Sequence, residues 1–222
     1  QTCALPIWGI PVPNEAPHVF YVWFDALNTY RSAVAAEQWP ADLHLIGKEI
    51  LRFHAVYWPA FLWAAGLPLP KKIFAHGWLL FENDKMSKSK GNIVRATPIK
   101  NVIGADALRY FLLREIPFGS DGSFSYDALI GRYNSDLANG LGNLASRTLA
   151  LIQQNCDGKI PAGEGDPEIA AAAAIAVDNA LDSYEQLNFS KALETVWGFI
   201  GTLDKFIVER APWKLAKSGE TK

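Results

Sequence analysis

The hydrophobic positions of the chain change character near residue 95. Before it they come as short runs: Val19 to Phe24, Leu43 to Ile46 around His44, and Ile73 to Phe81 around His76-Gly77. Runs of this length, rich in Val, Ile, Phe and Tyr and bounded by turn residues, predict strands buried on both faces. Between the second and third runs, Ile50, Phe53, Tyr57, Trp58, Phe61 and Leu62 follow helical spacing, and Gly66 and Pro68 stop that helix. Strand, helix and returning strand (Ile73 to His76) predict a right-handed parallel crossover, half of a doubly wound nucleotide-binding sheet. Gly47 and Gly77 follow its two strands, where a nucleotide could approach backbone closely.

After residue 95 the pattern becomes helical. Asp106 to Ile116 predicts a helix with Leu108, Phe111 and Leu112 inward, and Pro117, Gly119, Gly122 and Ser123 predict a linker. From Tyr126, the positions Leu129, Tyr133, Leu137, Leu141, Leu144, Thr148 and Leu151 form one stripe at spacings of three and four. Asp166-Pro167-Glu168 reads as a helix start: a capping acid, a proline in the first turn and a second negative charge. Asn188-Phe189 opens another helix that ends near Arg210, before Pro212, and Ala170 to Ala176 is helix-forming filler.

Composition narrows the class. Half of the 222 residues are hydrophobic, eight of them tryptophan, which supplies a sizeable core. A formal charge of −2 gives no overall basic field, so any nucleic-acid contact must be local. Cys3 and Cys156 form neither a metal pattern nor a disulfide framework, and a reducing cytoplasm is the simplest setting. No apolar run is long enough for a bilayer, and no signal-peptide pattern is present.

One stretch does not fit a core or an ordinary strand. In Asp84-Lys85-Met86-Ser87-Lys88-Ser89-Lys90-Gly91-Asn92, three lysines alternate with two serines and close on a turn dipeptide. Ammonium groups, hydroxyls and backbone amides are the donors a polyphosphate needs. Taken alone the run is an ordinary solvated loop; its delivery from the apolar run Ile73 to Phe81 favours a site.

That string, after a His-Gly-aromatic turn (His76-Gly77-Trp78), resembles the second signature of the class I aminoacyl-tRNA synthetases. From Trp8 onward the surrounding residues are similar to the bacterial methionine branch of that family. The resemblance implies an α/β plus all-α chain, the C-terminal half of a Rossmann-like parallel-sheet catalytic domain followed by a helical-bundle anticodon-binding domain. Its divisions are residues 8–94 (catalytic, with the lysine loop), 95–125 (stem) and 126–222 (anticodon-binding, cut after Trp213). It assigns Lys88 the stabilisation of pyrophosphate charge, with Lys85 and Ser87 assisting. Gly47, Glu49, Gly77, Trp78 and Leu79 join Lys85 and Lys88 around ATP, Glu49 standing where the family often has aspartate. It places Trp23, Ala26, Leu27, Tyr30, Ile50, Phe53, His54 and Trp58 at the methionine pocket, with His54 near the sulfur. A thioether is polarizable and favours aromatic edges, which suits this set. Asn28 and Thr29 replace the commoner small residues there and alter the pocket floor.

In the helical part, Asn143-Leu144-Ala145-Ser146-Arg147 and Ala211-Pro212-Trp213-Lys214 carry the family's anticodon-reading pattern. Asn143 and Arg147, four apart, share a helical face, and Trp213 past Pro212 stands clear as a stacking plate. The implied partners are methionine, ATP with Mg2+, and methionine tRNA, with no membrane. The family's His-Ile-Gly-His signature and zinc-bearing insertion are not in the sequence, so the resemblance implies a fragment without a zinc site, inactive alone. Gln1 to Ile7 do not match the family and read as a non-native leader. Rival readings are a leucine, isoleucine or valine ligase of the same class, and a non-catalytic tRNA-binding module.

Overall fold

In the computed structural model, which describes residues 9–15, 18–160, 162–163 and 165–218, the run from Val19 to Phe24 is not a strand. Only Val19 forms a bridge, antiparallel to Pro11, and the chain turns helical at α1 (Val22–Ser32). The reason is a second spacing within the same residues. Trp23, Leu27 and Tyr30 recur at four and three, giving a helix one apolar face, and Asp25 in the first turn complements the helix dipole. Leu27 is fully buried, whereas Phe20, Tyr21, Val22 and Phe24 are between 44% and 66% exposed. A short apolar run fits either period, and here the helical one wins. The leader expected at residues 1–7 lies outside the described residues.

The chain divides into two compact units, Gln1–His76 and Gly77–Lys222. In the first, β1 (His44–Gly47) and β2 (Ile73–His76) pair in parallel, His44 beside Ile73 and Gly47 beside His76. The connecting helix is not one regular α-helix, as its spacing predicted. A 3-10 turn at Lys48–Ile50 leads to a π-helical stretch at Phe53–Tyr57 and then to α2 (Trp58–Ala64). Pro59 explains the widening: a proline ring clashes with the carbonyl four residues back. Immediately before it, the Trp58 N–H reaches five residues back to the Phe53 carbonyl. Leu27, Trp58 and Leu62 form the core, covered by Trp23, Tyr30, Trp39, Phe53, Phe61 and Leu67. Along β1 the faces differ, with His44 and Ile46 buried and Leu45 53% exposed.

In the second unit, β3 (Leu79–Phe81) turns through Glu82-Asn83 into β4 (Asp84–Lys85), antiparallel to it. Both turn residues have positive φ, 49° and 69°, the primed geometry that matches strand twist. The expected linker also differs. Gly122–Phe124 is a strand, β5, parallel to β3, because Phe124 is 1% exposed in the core and drags its small neighbours into the ladder. Gly77 sits against the backbone of Ser120 and Asp121, where any Cβ would collide. Helices α3 (Ala96–Ile103) and α4 (Ala105–Glu115) contribute Ile99, Leu108 and Phe111 to the same core, with Leu129 from α5 (Tyr126–Arg132).

A second π-helical stretch, Tyr133–Gly142, joins α5 to α6 (Asn143–Asn155). The Asp166 carboxylate accepts from the Glu168 and Ile169 N–H groups and starts α7 (Pro167–Glu185), as the sequence predicted. Then α8 (Phe189–Arg210) runs to Ala211, at φ 43°, and α9 (Pro212–Ser218) follows.

Half-buried charges tie α4 to these helices. The Tyr110 hydroxyl donates to Asp136 Oδ2 at 2.6 Å, and Arg132 donates to Glu115 at 2.6 and 3.0 Å and to Asp136 at 3.2 Å. The Trp197 indole N–H donates to the Asp136 carbonyl at 3.2 Å, its ring 4.3 Å from that of Tyr110. Burial pushes the Asp136 carboxyl up, but the bonds from Ser135, Tyr110 and Arg132 and the Arg132 charge outweigh it, leaving the pKa lowered. Tyr110→Phe is therefore expected to cost about 1.5–2 kcal/mol by urea unfolding at neutral pH. Because the folded value is depressed, the stabilisation is present above the ordinary carboxylate range and is lost as pH falls through the folded value. A deficit that stays constant into acid would show that the bond is not to an ionised Asp136.

Candidate active site

The predicted pocket residues assemble in the first unit around one hydrogen-bond relay. His54, 1% exposed on the π-helical stretch, has Nδ1 3.0 Å from the Ile50 carbonyl and Nε2 2.7 Å from the Tyr30 hydroxyl. A carbonyl only accepts, so Nδ1 carries the proton, and in the neutral ring Nε2 accepts from Tyr30. Both polar groups thus spend their protons on each other and on backbone. Burial raises the Tyr30 phenol pKa and keeps that proton in place. Trp23 stacks on Phe53 at 4.2 Å and meets His54 edge-on at 6.0 Å, while Trp58 lies 6.4 Å from Tyr30. The result is a buried aromatic cluster in which the Trp58 indole N–H has no partner among the described residues. Asn28 and Thr29 do not form its floor. They are exposed, and their side chains donate to the Phe24 and Ala26 carbonyls of their own helix, both at 2.6 Å.

Sequence reasoning missed His44. This ring, 4% exposed, packs 4.4 Å from Tyr30, and its Nε2 has no partner among the described residues. Burial, and then the neighbouring His54, lower its pKa and keep it neutral. Its only sequence signal was one polar residue opening an apolar run.

On the nucleotide side, Gly47 ends β1 under the Glu49 carboxylate, which would lie 2.7 Å from a Cβ there. In the second unit the Trp78 N–H donates to Asp121 Oδ1 at 2.8 Å, and Leu79 begins β3 opposite Gly122. The lysine loop follows β4. Lys85 Nζ lies over the Trp78 ring at 3.9 Å, a cation–π contact, and Lys90 pairs with Asp84 at 3.4 Å. Lys88 has no side-chain partner among the described residues. Ser87 Oγ accepts from the Lys90 N–H at 3.2 Å. Two ammonium groups are held and one is left available for an anion.

On α6, Asn143 is exposed and Arg147 half-buried. Trp213 does not stand clear, as its place past Pro212 predicted. The Arg147 guanidinium lies 5.6 Å from its ring and donates to Asp204 at 3.1 Å, so indole, guanidinium and carboxylate form one group. Among the described residues no three His, Cys, Asp or Glu side chains gather as a metal site, and no helix is long and apolar enough to cross a membrane.

Residues 5–149 match the family model described as tRNA synthetases class I (M). The chain belongs to the class I tRNA synthetases of the methionine type. Its parallel pairing and helices are those of a class I synthetase-like fold. It is 50% identical over 223 residues to the methionine–tRNA ligase of Caldanaerobacter subterraneus, and 47% identical over 227 residues to that of Enterococcus faecalis. These alignments cover 95% and 96% of the chain but 35% and 34% of the relatives, so the chain spans about a third of their length. Mycobacterium tuberculosis methionyl-tRNA synthetase, solved in complex with methionyl-adenylate, superposes with a TM-score of 0.84 at 46% identity, over 95% of this chain and 44% of that one.

Proposed function

We propose that these residues are the part of a methionine–tRNA ligase that holds the methionine side chain, supplies the lysine loop and reads the anticodon. The observation that carries the reading is the cage of Trp23, Tyr30, Phe53, His54 and Trp58 around a relay whose protons are already spent. Such a cage suits an unbranched thioether, which needs polarizable contact and no hydrogen-bond partner. Ala26, Leu27 and Ile50 complete the apolar lining, and Gly47, Glu49, Gly77, Trp78 and Leu79 serve the nucleotide.

In the reaction a methionine carboxylate oxygen attacks the α-phosphorus of ATP. The bond from that phosphorus to pyrophosphate breaks, and negative charge grows on the leaving group. Lys88 stabilises that charge, with Lys85 and Ser87 assisting, and no side chain acts as a covalent nucleophile. Mg2+ arrives on the ATP phosphates. A hydroxyl of the terminal tRNA ribose then attacks the methionyl carbonyl and AMP leaves. Residues 8–94 serve as the catalytic part, 95–125 as the stem and 126–222 as the anticodon-binding part, where Asn143, Arg147 and Trp213 meet methionine tRNA. The setting is the cytoplasm.

The test is amino-acid-dependent ATP–pyrophosphate exchange, with the rest of the relatives' length supplied. Methionine should drive exchange while leucine, isoleucine and valine do not. Exchange driven by a branched amino acid, or none with any of the four, overturns the reading.

A further inference from the structure

Asn92, at the far end of the lysine loop, has both ends of its carboxamide engaged by the loop itself. Its Oδ1 accepts from the Ser87 N–H at 2.9 Å, and its Nδ2 donates to the Lys85 carbonyl at 3.3 Å. One half-buried side chain therefore grips the backbone on both sides of Met86, five and seven residues away. The return is made by Gly91, whose φ of 68° lies in the left-handed region and whose N–H bonds the Lys88 carbonyl at 3.3 Å. A carboxamide carries a donor and an acceptor on two separate atoms of one short stem; an ionised aspartate of the same shape can accept but not donate.

We propose that Asn92 is a positioning residue for adenylate formation: it braces the loop from Lys85 to Ser87 and thereby aims Lys88. The proposal rests on the lysine loop having the role given above. A run of Ser, Lys and Gly has much backbone freedom, and each residue left unfixed disperses the ammonium over many positions. A charge that must meet a developing anion acts through being in place beforehand, so losing the brace lowers the turnover rate with the amino-acid pocket untouched.

In the full-length chain, Asn92→Ala should slow methionyl-adenylate formation by about 10- to 100-fold while methionine KM and melting temperature stay unchanged. Asn92→Asp, which keeps the acceptor and forfeits the donor, should fall between. Tryptic cleavage after Lys88 reads the brace without turnover and should be faster in Asn92→Ala than in wild type. Equal cleavage rates overturn the brace. A wild-type adenylation rate, or a slow rate with methionine KM and melting temperature shifted alike, overturns the positioning role. Lys88→Ala run alongside separates the two levels. If it is silent, the loop's assigned chemistry fails; if it is slow while Asn92→Ala is not, only the brace fails.

Discussion

Lys88→Ala, in a chain of the family's full length, is expected to slow methionyl-adenylate formation by about 100- to 1000-fold, the cost of removing one donor aimed at developing charge. The loop singles this residue out. Lys85 is seated on Trp78 and Lys90 on Asp84, whereas the Lys88 side chain has no partner among the described residues. Truncating Lys88 therefore removes no side-chain contact from the resting loop, and on the proposed reading its whole cost falls on the reaction. Methionine affinity should hardly change, because the cage residues all belong to the first unit. Lys90→Ala, which breaks only an exposed pair, should have a small effect. The measurement is a pre-steady-state burst of adenylate, and an unchanged burst rate would remove Lys88 from its role.

Trp213→Ala is expected to lower kcat/KM for methionine tRNA by about 5- to 150-fold, the worth of stacking one base on an aromatic plate. Adenylate formation without tRNA should stay nearly intact. The indole also supports the Arg147 guanidinium from one side while Asp204 holds it from another. Removing the indole leaves Arg147 to its carboxylate, so on the proposed reading two recognition groups are lost together. A tRNA whose anticodon has already been altered tests this. The substitution should matter little there, since the contact is absent beforehand. Equal losses on both tRNAs would make Trp213 a packing residue.

The sequence disclosed some of this better than the rest, for physical reasons. The helix start at Asp166 was legible because capping is local chemistry; the start at Asn188 falls where expected although its side chain makes no capping hydrogen bond. The parallel pairing of β1 with β2 followed from two apolar runs flanking a helix-spaced one. Val22–Ser32 was not legible, because six apolar residues satisfy both periods and burial decides between them. Gly122–Phe124 was hidden for the opposite reason: two small polar residues enter a ladder only because Phe124 is anchored. Around the lysine loop the donors were visible in the sequence, but their division into two occupied and one free was not. That division depends on Trp78 and Asp84 folding back from the hairpin. Along α6, counting 3.6 residues per turn from Tyr126 misjudges the face that Asn143 and Arg147 occupy. The wider turns at Tyr133–Gly142 rotate each residue through a smaller angle.

The joint between α8 and α9 governs where Trp213 can be. Ala211 is held in the left-handed region, φ 43° and ψ 55°, which costs a residue with a Cβ about 1–2 kcal/mol. Pro212 makes the alternative worse, because a proline disfavours the right-handed helical region for the residue before it. The two residues therefore act as a mitre: Ala211 turns the chain off the helix, and Pro212 starts α9 on a new axis. The angle of that corner sets the lever arm that carries Trp213 to Arg147. The place of the indole is thus set by the backbone of its neighbours.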